Sequence, residues 1–354
     1  MSDAVEHALR FNPGLGAQEA ESRSSEEGRK SARGAFGPRL GVSYSATKTE
    51  SKRDPSATMG TKNPKMGVYS WGIEVSQPIF QGFRLLSTYQ KAALQADSDK
   101  ASLRKAELDM TEQVQTAFLE YLKAGENTRS MRDSLARLRE QLRIAQAYFE
   151  VGLSPRLDVL QAEVDVSEAE RLLIEAENTQ ATTLARLNTL LGFDATAVNT
   201  YTGTLKEVGF RYTLEQCLEL AYRQRPDLYV AQKAVEIARK SQKEVQSDYY
   251  PQIEGYYSMT QSGNTPGMQR SGENGSHVTN WEVGAQATWN VFEWGTTYYA
   301  DKQAGWQVTK MRYEQENLKL EVGYDIKSKY LAVQEARKRI AVAQNSVAQA
   351  TEAY

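Results

Sequence analysis

The sequence is poor in what most catalytic or covalently stapled proteins need. Its 354 residues hold one cysteine, Cys217, and two histidines, His7 and His277, far apart in the chain. One thiol excludes a disulfide framework and a cysteine-based metal site. There is no paired nucleophile and base, no cluster of metal-ligating side chains and no Gly-rich phosphate loop, so neither an enzyme nor a cofactor is written here. No run of eighteen apolar residues is present, which excludes a transmembrane helix but not a strand. No charge of one sign dominates either. Lys and Arg total 43, Asp and Glu 45, mixed along the whole length, and no basic stripe argues for a nucleic-acid partner. Mean hydropathy is −0.60 with 40% hydrophobic residues, which predicts a modest core under a large surface. Met1 runs almost directly into a helical pattern without a signal peptide, as expected of a mature or trimmed chain.

What the sequence does contain is itself, nearly twice. Asn12-Pro13-Gly14-Leu15 matches Arg225-Pro226-Asp227-Leu228, and Gly37-Pro38-Arg39-Leu40 matches Tyr250-Pro251-Gln252-Ile253, both at an offset of 213 residues. Phe80 matches Phe292, Val114 matches Ile326, Phe118-Leu119 matches Tyr330-Leu331 and Ala124 matches Ala336 at 212, so one residue is lost in a loop between. The first copy is read as 1–200 and the second as 201–354. The second is expected to stop in mid-helix, before a hairpin tip of its own.

Each copy carries two stretches of period two, the signature of strands with one apolar face. In the first, at about 39–47 and 68–77, Leu40, Val42, Tyr44 and Ala46, then Tyr69, Trp71, Ile73 and Val75, alternate with small or polar residues. In the second, at about 251–259 and 280–291, the apolar set is Ile253, Tyr257 and Met259, then Trp281, Val283, Ala285, Ala287, Trp289 and Val291. Polar loops are predicted at 48–65 and 260–280, and Pro78 is expected to end one strand. Tyr69, Trp71, Trp281 and Trp289, on faces opposite polar residues, suit an interfacial aromatic girdle better than a core.

The rest reads as helix. From Leu85 to Glu150 there is no proline, enough for one helix of roughly 100 Å at 1.5 Å per residue. Leu135, Leu138, Leu142, Ala145 and Phe149 step by three and four, and Leu184, Leu187 and Leu191 do the same, which predicts a narrow coiled-coil seam. The hairpin at about 84–191 turns at Val151-Gly152-Leu153-Ser154-Pro155. There Gly152 suits a left-handed helix end, Ser154 an N-cap and Pro155 a first turn. Cys217 falls on Ala4 across the repeat and His7 on Leu220, so both read as packed side chains.

Four strands cannot close a barrel, and open sheet edges are not tolerated in hydrocarbon, so a membrane reading demands several chains around one barrel. In this the chain resembles the outer-membrane efflux protein family, the TolC-type channels. The resemblance is carried by Ala8-Leu9 with Asn12-Pro13 and Leu15, by Gly37-Pro38-Arg39-Leu40 and by Gln77-Pro78-Ile79-Phe80-Gln81-Gly82. It continues in Tyr148-Phe149-Glu150-Val151-Gly152-Leu153-Ser154 followed by Leu157-Asp158-Val159-Leu160-Gln161-Ala162. It implies a mainly α fold with β, a tandem repeat of long antiparallel coiled-coil helices plus two strands per repeat. Three copies would form a twelve-stranded outer-membrane β-barrel joined to a periplasmic α-helical barrel.

The resemblance further implies a homotrimer set in outer-membrane lipid and extending into the periplasm. It would work with a periplasmic adaptor (membrane fusion) protein and an inner-membrane RND or ABC transporter, in drug, metal-ion or protein export including type I secretion. Gly152, Leu153 and Ser154 would form the adaptor-docking turn. Asp158 is a gate candidate on the same resemblance; equally, an acid is at home in any first helical turn. A soluble coiled-coil scaffold is the alternative, and it leaves the amphipathic strands without a purpose.

Overall fold

The computed structural model describes residues 1–49, 66–263, 265–266 and 277–353. Of the loops predicted at 48–65 and 260–280, residues 50–65, 264 and 267–276 lie outside the described residues, while 48–49, 260–263 and 277–280 belong to strands. Among the described residues seven α-helices and four strands follow the order α1 (Ser2–Phe11), α2 (Pro13–Gly34), β1 (Arg39–Thr49), β2 (Met66–Gln81), α3 (Arg84–Glu150), α4 (Arg156–Leu191), α5 (Leu214–Gln224), α6 (Pro226–Gln246), β3 (Gln252–Gly263), β4 (His277–Thr288) and α7 (Thr296–Ala353). Among the described residues no helix is long and apolar enough to cross a membrane. The chain divides into two compact units, Met1–Arg23 with Asp99–Asp227 and Glu321–Tyr354, and Ser24–Ser98 with Leu228–Leu320, so that each draws on both sequence repeats.

The first unit is helical. Asn12 starts α2 by accepting from the amides of Gly14 (2.8 Å) and Leu15 (3.2 Å), with Pro13 in the first turn where its missing N–H costs nothing. Thr213 and Gln216 form a reciprocal capping box at the start of α5. The core gathers Ala8, Val114, Ala117, Phe118, Leu187 and Leu191. Between α3 and α4 the seam is more alanine than leucine. Ala162, Ala169 and Ala176, seven residues apart, are buried on α4, while Leu135 on α3 is buried and Phe149 is exposed. Small side chains at that spacing let the helices approach closely, and the Thr128 hydroxyl lies within hydrogen-bond distance of the carbonyls of both Ala124 (3.0 Å) and Ala176 (3.2 Å). Gly125 does not interrupt α3.

At the end of α4, Asn188 is fully buried. Its Nδ2 donates to the Ala197 carbonyl (2.7 Å), and its Oδ1 accepts from the Tyr201 hydroxyl (2.7 Å) and Asn199 Nδ2 (3.2 Å). From α1 and the turn after it, the His7 ring meets the Leu191 carbonyl at 3.1 Å and Asn12 Nδ2 donates to the Leu190 carbonyl at 2.9 Å. Buried polar groups are costly unless paired, and here the pairs fix the helix end to distant segments.

The second unit holds the sheet. Its order is β1-β2-β3-β4, antiparallel throughout, with the outer edges of β1 and β4 unpaired among the described residues. Pro78 does not end β2 as expected. The strand continues to Gln81, and the β2–β3 register shifts between Pro78 and Phe80. Proline has no N–H to give to a ladder, and a bulge is where a strand tolerates that loss. The strand pattern expected to reach Val291 ends instead at Thr288.

Candidate functional site: a two-faced sheet and a hairpin tip

The register aligns the alternation of all four strands. Leu40 stands opposite Val75, Val75 opposite Tyr257 and Tyr257 opposite Val283; Val42, Ile73, Met259 and Trp281 form the next row in the same way. The rows beyond hold Tyr44 beside Trp71 and Ala46 beside Tyr69. The opposite face carries Ser43, Gly72, Thr260 and Asn280 in one row and Gly41, Glu74, Ser258 and Glu282 in another. Strand periodicity alone cannot show this, because a slip of one residue would turn a strand's apolar side over. One face is therefore apolar across all four strands in the rows of Leu40 and Val42, with Gln261 and Thr279 joining it toward the loop end, and the other face is polar. Side chains of the apolar face are open rather than packed on a core: Val42 is 74% exposed and Trp281 67%.

Of the four predicted girdle aromatics, Tyr69, Trp71 and Trp281 share the apolar face, toward its loop end, where Trp71 Nε1 donates to Gln261 Oε1 (2.8 Å). Trp289 lies outside the strands, just past the helix end of β4, and its Nε1 donates to the Tyr249 carbonyl (3.2 Å). Other aromatics escaped the strand pattern because they lie past the β2 bulge, as Phe80 does, or in turns. The Phe80, Phe83 and Tyr250 rings pack edge to face, with centroids 5.4 to 6.5 Å apart, and Phe292 lies 5.1 Å from Trp294. Phe83 and Trp294 have φ of 67° and 50°, a strained region for bulky residues.

At the hairpin tip Gly152 has φ 76°. Its amide donates to the Phe149 carbonyl (3.0 Å) and the Leu153 amide to the Tyr148 carbonyl (2.8 Å), the paired closure of a Schellman motif. Ser154 does not cap the next helix. Pro155 is the N-cap residue, the helix begins one residue later than the cap reading needs, and the Ser154 hydroxyl is buried without a hydrogen-bond partner among the described residues. Asp158 lies exposed in the first turn of α4. Around it Val151, Leu153 and Leu157 form an exposed apolar tip. Farther from the turn, Arg132–Glu177 (3.0 Å) and Arg139–Glu170 (2.7 Å) bridge α3 and α4. Hydrogen bonds from Arg143 hold the Glu140 carboxyl below its ordinary range, and those from Arg171 do the same for Glu168.

A sequence model of the family described as "Outer membrane efflux protein" matches residues 4–193 and 217–354. The chain belongs to that family. Among curated relatives of this efflux-family chain, the alkaline protease secretion protein AprF of Pseudomonas aeruginosa is 25% identical over 325 residues, covering 88% of the chain and 65% of AprF. The outer membrane protein TolC of Vibrio cholerae is 25% identical over 312 residues, covering 86% of the chain and 67% of TolC. The chain thus spans about two thirds of the length of each. In fold it is similar to the outer membrane protein VceC of Vibrio cholerae, with TM-score 0.80 at 17% identity, over 99% of this chain and 83% of that one. The CmeC outer membrane channel of Campylobacter jejuni gives 0.78 at 17% identity, over 96% and 74%.

Proposed function

We propose that the chain is a subunit of an outer-membrane exit channel, conducting drugs, metal ions or secreted proteins delivered by an inner-membrane RND or ABC pump and a periplasmic adaptor, without catalysing a reaction itself. The observation that carries this reading is the register: an apolar face continuous over four strands, a polar face behind it and two open edges. A sheet with one oily side and unpaired edges is stable in hydrocarbon only when the edges close. β4 runs antiparallel to β1, so the β4 edge of one copy suits the β1 edge of the next, and three copies give a closed barrel of even strand number. Its polar face becomes the lumen and its apolar face meets lipid.

In this reading Tyr69, Trp71 and Trp281 mark one lipid boundary. Trp289, with Phe83, Tyr250, Phe292 and Trp294, marks the other. Gly152, Leu153 and Ser154 dock the adaptor through the apolar tip, and Asp158 beside them is a gate residue biased by that docking.

The membrane fraction of expressing cells, extracted in detergent, is expected to yield a trimer by native mass spectrometry that conducts ions across planar bilayers. A chain that stays monomeric in the aqueous fraction and forms no conductance would refute the channel and leave a coiled-coil scaffold. For the tip, Gly152→Glu is expected to weaken cross-linking to the adaptor with the trimer intact; unchanged cross-linking at native levels would remove the docking assignment.

A further inference from the structure

Directly below the sheet, between the first turns of α3 and the last turns of α6, lies a cavity of about 460 Å³. Lys240 and Lys243 are the charged residues of its lining, and Gln90, Ser87 and Gln246 supply its neutral polar groups. Lys240 donates to Gln90 Oε1 at 2.7 Å, a neutral partner, and Lys243 makes no ion pair among the described residues. Of the carboxylates nearby, three are engaged by cations, and Asp301 accepts from the neutral side-chain amides of Gln242 (2.9 Å) and Gln246 (3.0 Å). Glu244 receives Lys91 Nζ (2.5 Å) and Thr88 Oγ1 (2.5 Å), Asp248 is held by Arg84, and Glu236 by Lys233 (3.0 Å). The lining itself therefore carries two lysines and no carboxylate.

The opposite wall is apolar and open, made by Phe83, Leu86 and Tyr250. Phe80, in register with Ile253 on the apolar face of the sheet, touches both Phe83 and Tyr250. The oily wall of the cavity is thus continuous with the face assigned to lipid. A ligand suited to this place has an anionic head and a hydrocarbon tail that runs onto the sheet.

We propose that this cavity binds the headgroup of an anionic glycerophospholipid of the periplasmic leaflet. The phosphate lies between Lys240 and Lys243, and the acyl end lies against Phe83, Leu86 and Tyr250. This rests on the channel reading, which puts the helix end of the strands at that leaflet. Two lysines near a headgroup account for about a 30-fold preference for anionic over zwitterionic lipid, at roughly 5.5-fold each.

The full chain, purified in detergent, is mixed with phosphatidylcholine vesicles with and without phosphatidylglycerol, and bound lipid is counted by native mass spectrometry. The expected result is selective retention of phosphatidylglycerol, lost by about 30-fold in Lys240→Gln/Lys243→Gln and kept in the control Lys123→Gln/Lys206→Gln. Equal retention by wild type and the first double variant would overturn the proposal. So would release of the lipid by inorganic phosphate but not by chloride at equal ionic strength, which would mark an ion pocket. A chain that enters neither kind of vesicle overturns the channel reading itself, and the proposal with it; entry without a preference overturns the lipid site alone.

Discussion

Two left-handed glycines end the two helices of the hairpin, and their surroundings predict very different costs for the same substitution. Gly152 (φ 76°) and Gly192 (φ 83°) both close a helix. A Cβ on Gly152 meets nothing within 4 Å, so Gly152→Ala carries only the conformational penalty, about 1 kcal/mol. A Cβ on Gly192 lies 2.8 Å from the Phe11 carbonyl oxygen, backbone that cannot swing aside, so an overpacking cost of about 1 to 3 kcal/mol adds to the same penalty. Gly192→Ala is expected to cost about 3 kcal/mol in all. Hydrogen exchange suits the measurement, because local opening at each helix end is read without assuming that the whole chain unfolds in one step. The opening free energy at Leu187–Leu191 should fall well below its wild-type value in Gly192→Ala, while that at Ala147–Val151 moves little in Gly152→Ala. Equal costs, or a larger one at the tip, would refute the reasoning. The same difference makes the tip a clean place to test docking, since a change there leaves the fold nearly untouched.

Asn188→Ala removes three side-chain hydrogen bonds at a fully buried site, although the Ala197 carbonyl keeps the Asn199 amide (3.1 Å). It should destabilise by about 3 kcal/mol in a urea titration, and a loss under about 1 kcal/mol would contradict the network. Glu140 and Glu168 are held below their ordinary value of 4.5, so their pairs stabilise the folded hairpin at neutral pH, and this contribution is lost only as pH falls below that value. Thermal melting should therefore be flat down to about pH 5 and decline below it, less steeply in Glu140→Gln/Glu168→Gln; an identical decline would assign it elsewhere. On the polar face of the described strands Glu74, Glu254 and Glu282 outnumber the one cation, Arg39. The channel should prefer cations, and Glu74→Gln/Glu282→Gln should move the reversal potential toward zero in a salt gradient; an unmoved potential would exclude these carboxylates from the conduction path.

Local pattern made much of this structure legible. The period-two stretches became the four strands, and the hairpin ends at Glu150 and Leu191, where Gly152 and Gly192 allow the reversal. Features that depend on distant partners were hidden. The Pro78 bulge requires knowing that β3 lies beside β2, and Trp289 left the strand it was counted in to donate to the Tyr249 carbonyl. Ser154 has the composition of a cap, but the helix begins at Arg156, out of step with it. His7, Asn12 and Asn188 bind across 178 residues or more, or into an irregular segment, and no periodicity announces such contacts.

The duplicated turn after β2 and β4 shows which property the repeat retains. In the first copy the left-handed pair is Gly82 then Phe83; at an offset of 212 the second has Trp294 then Gly295, the same two kinds of residue in reversed order. The reversal has a steric reason. A Cβ at position 82 would lie 2.3 Å from the Ser247 carbonyl oxygen, so glycine is compulsory there and the aromatic must come second. Trp294 is 89% exposed, so its position admits a large side chain, and the glycine takes the second place. Each copy thus holds one aromatic in a backbone conformation that costs roughly 1 to 3 kcal/mol, offset in part by ring contacts of Phe83 with Phe80 and Tyr250 and of Trp294 with Phe292, although both rings stay largely exposed. A cost carried twice, with the aromatic kept exposed and its place exchanged, is accounted for if the rest of the offset comes from outside the chain, at the lipid boundary that the channel reading puts at the helix end of the strands.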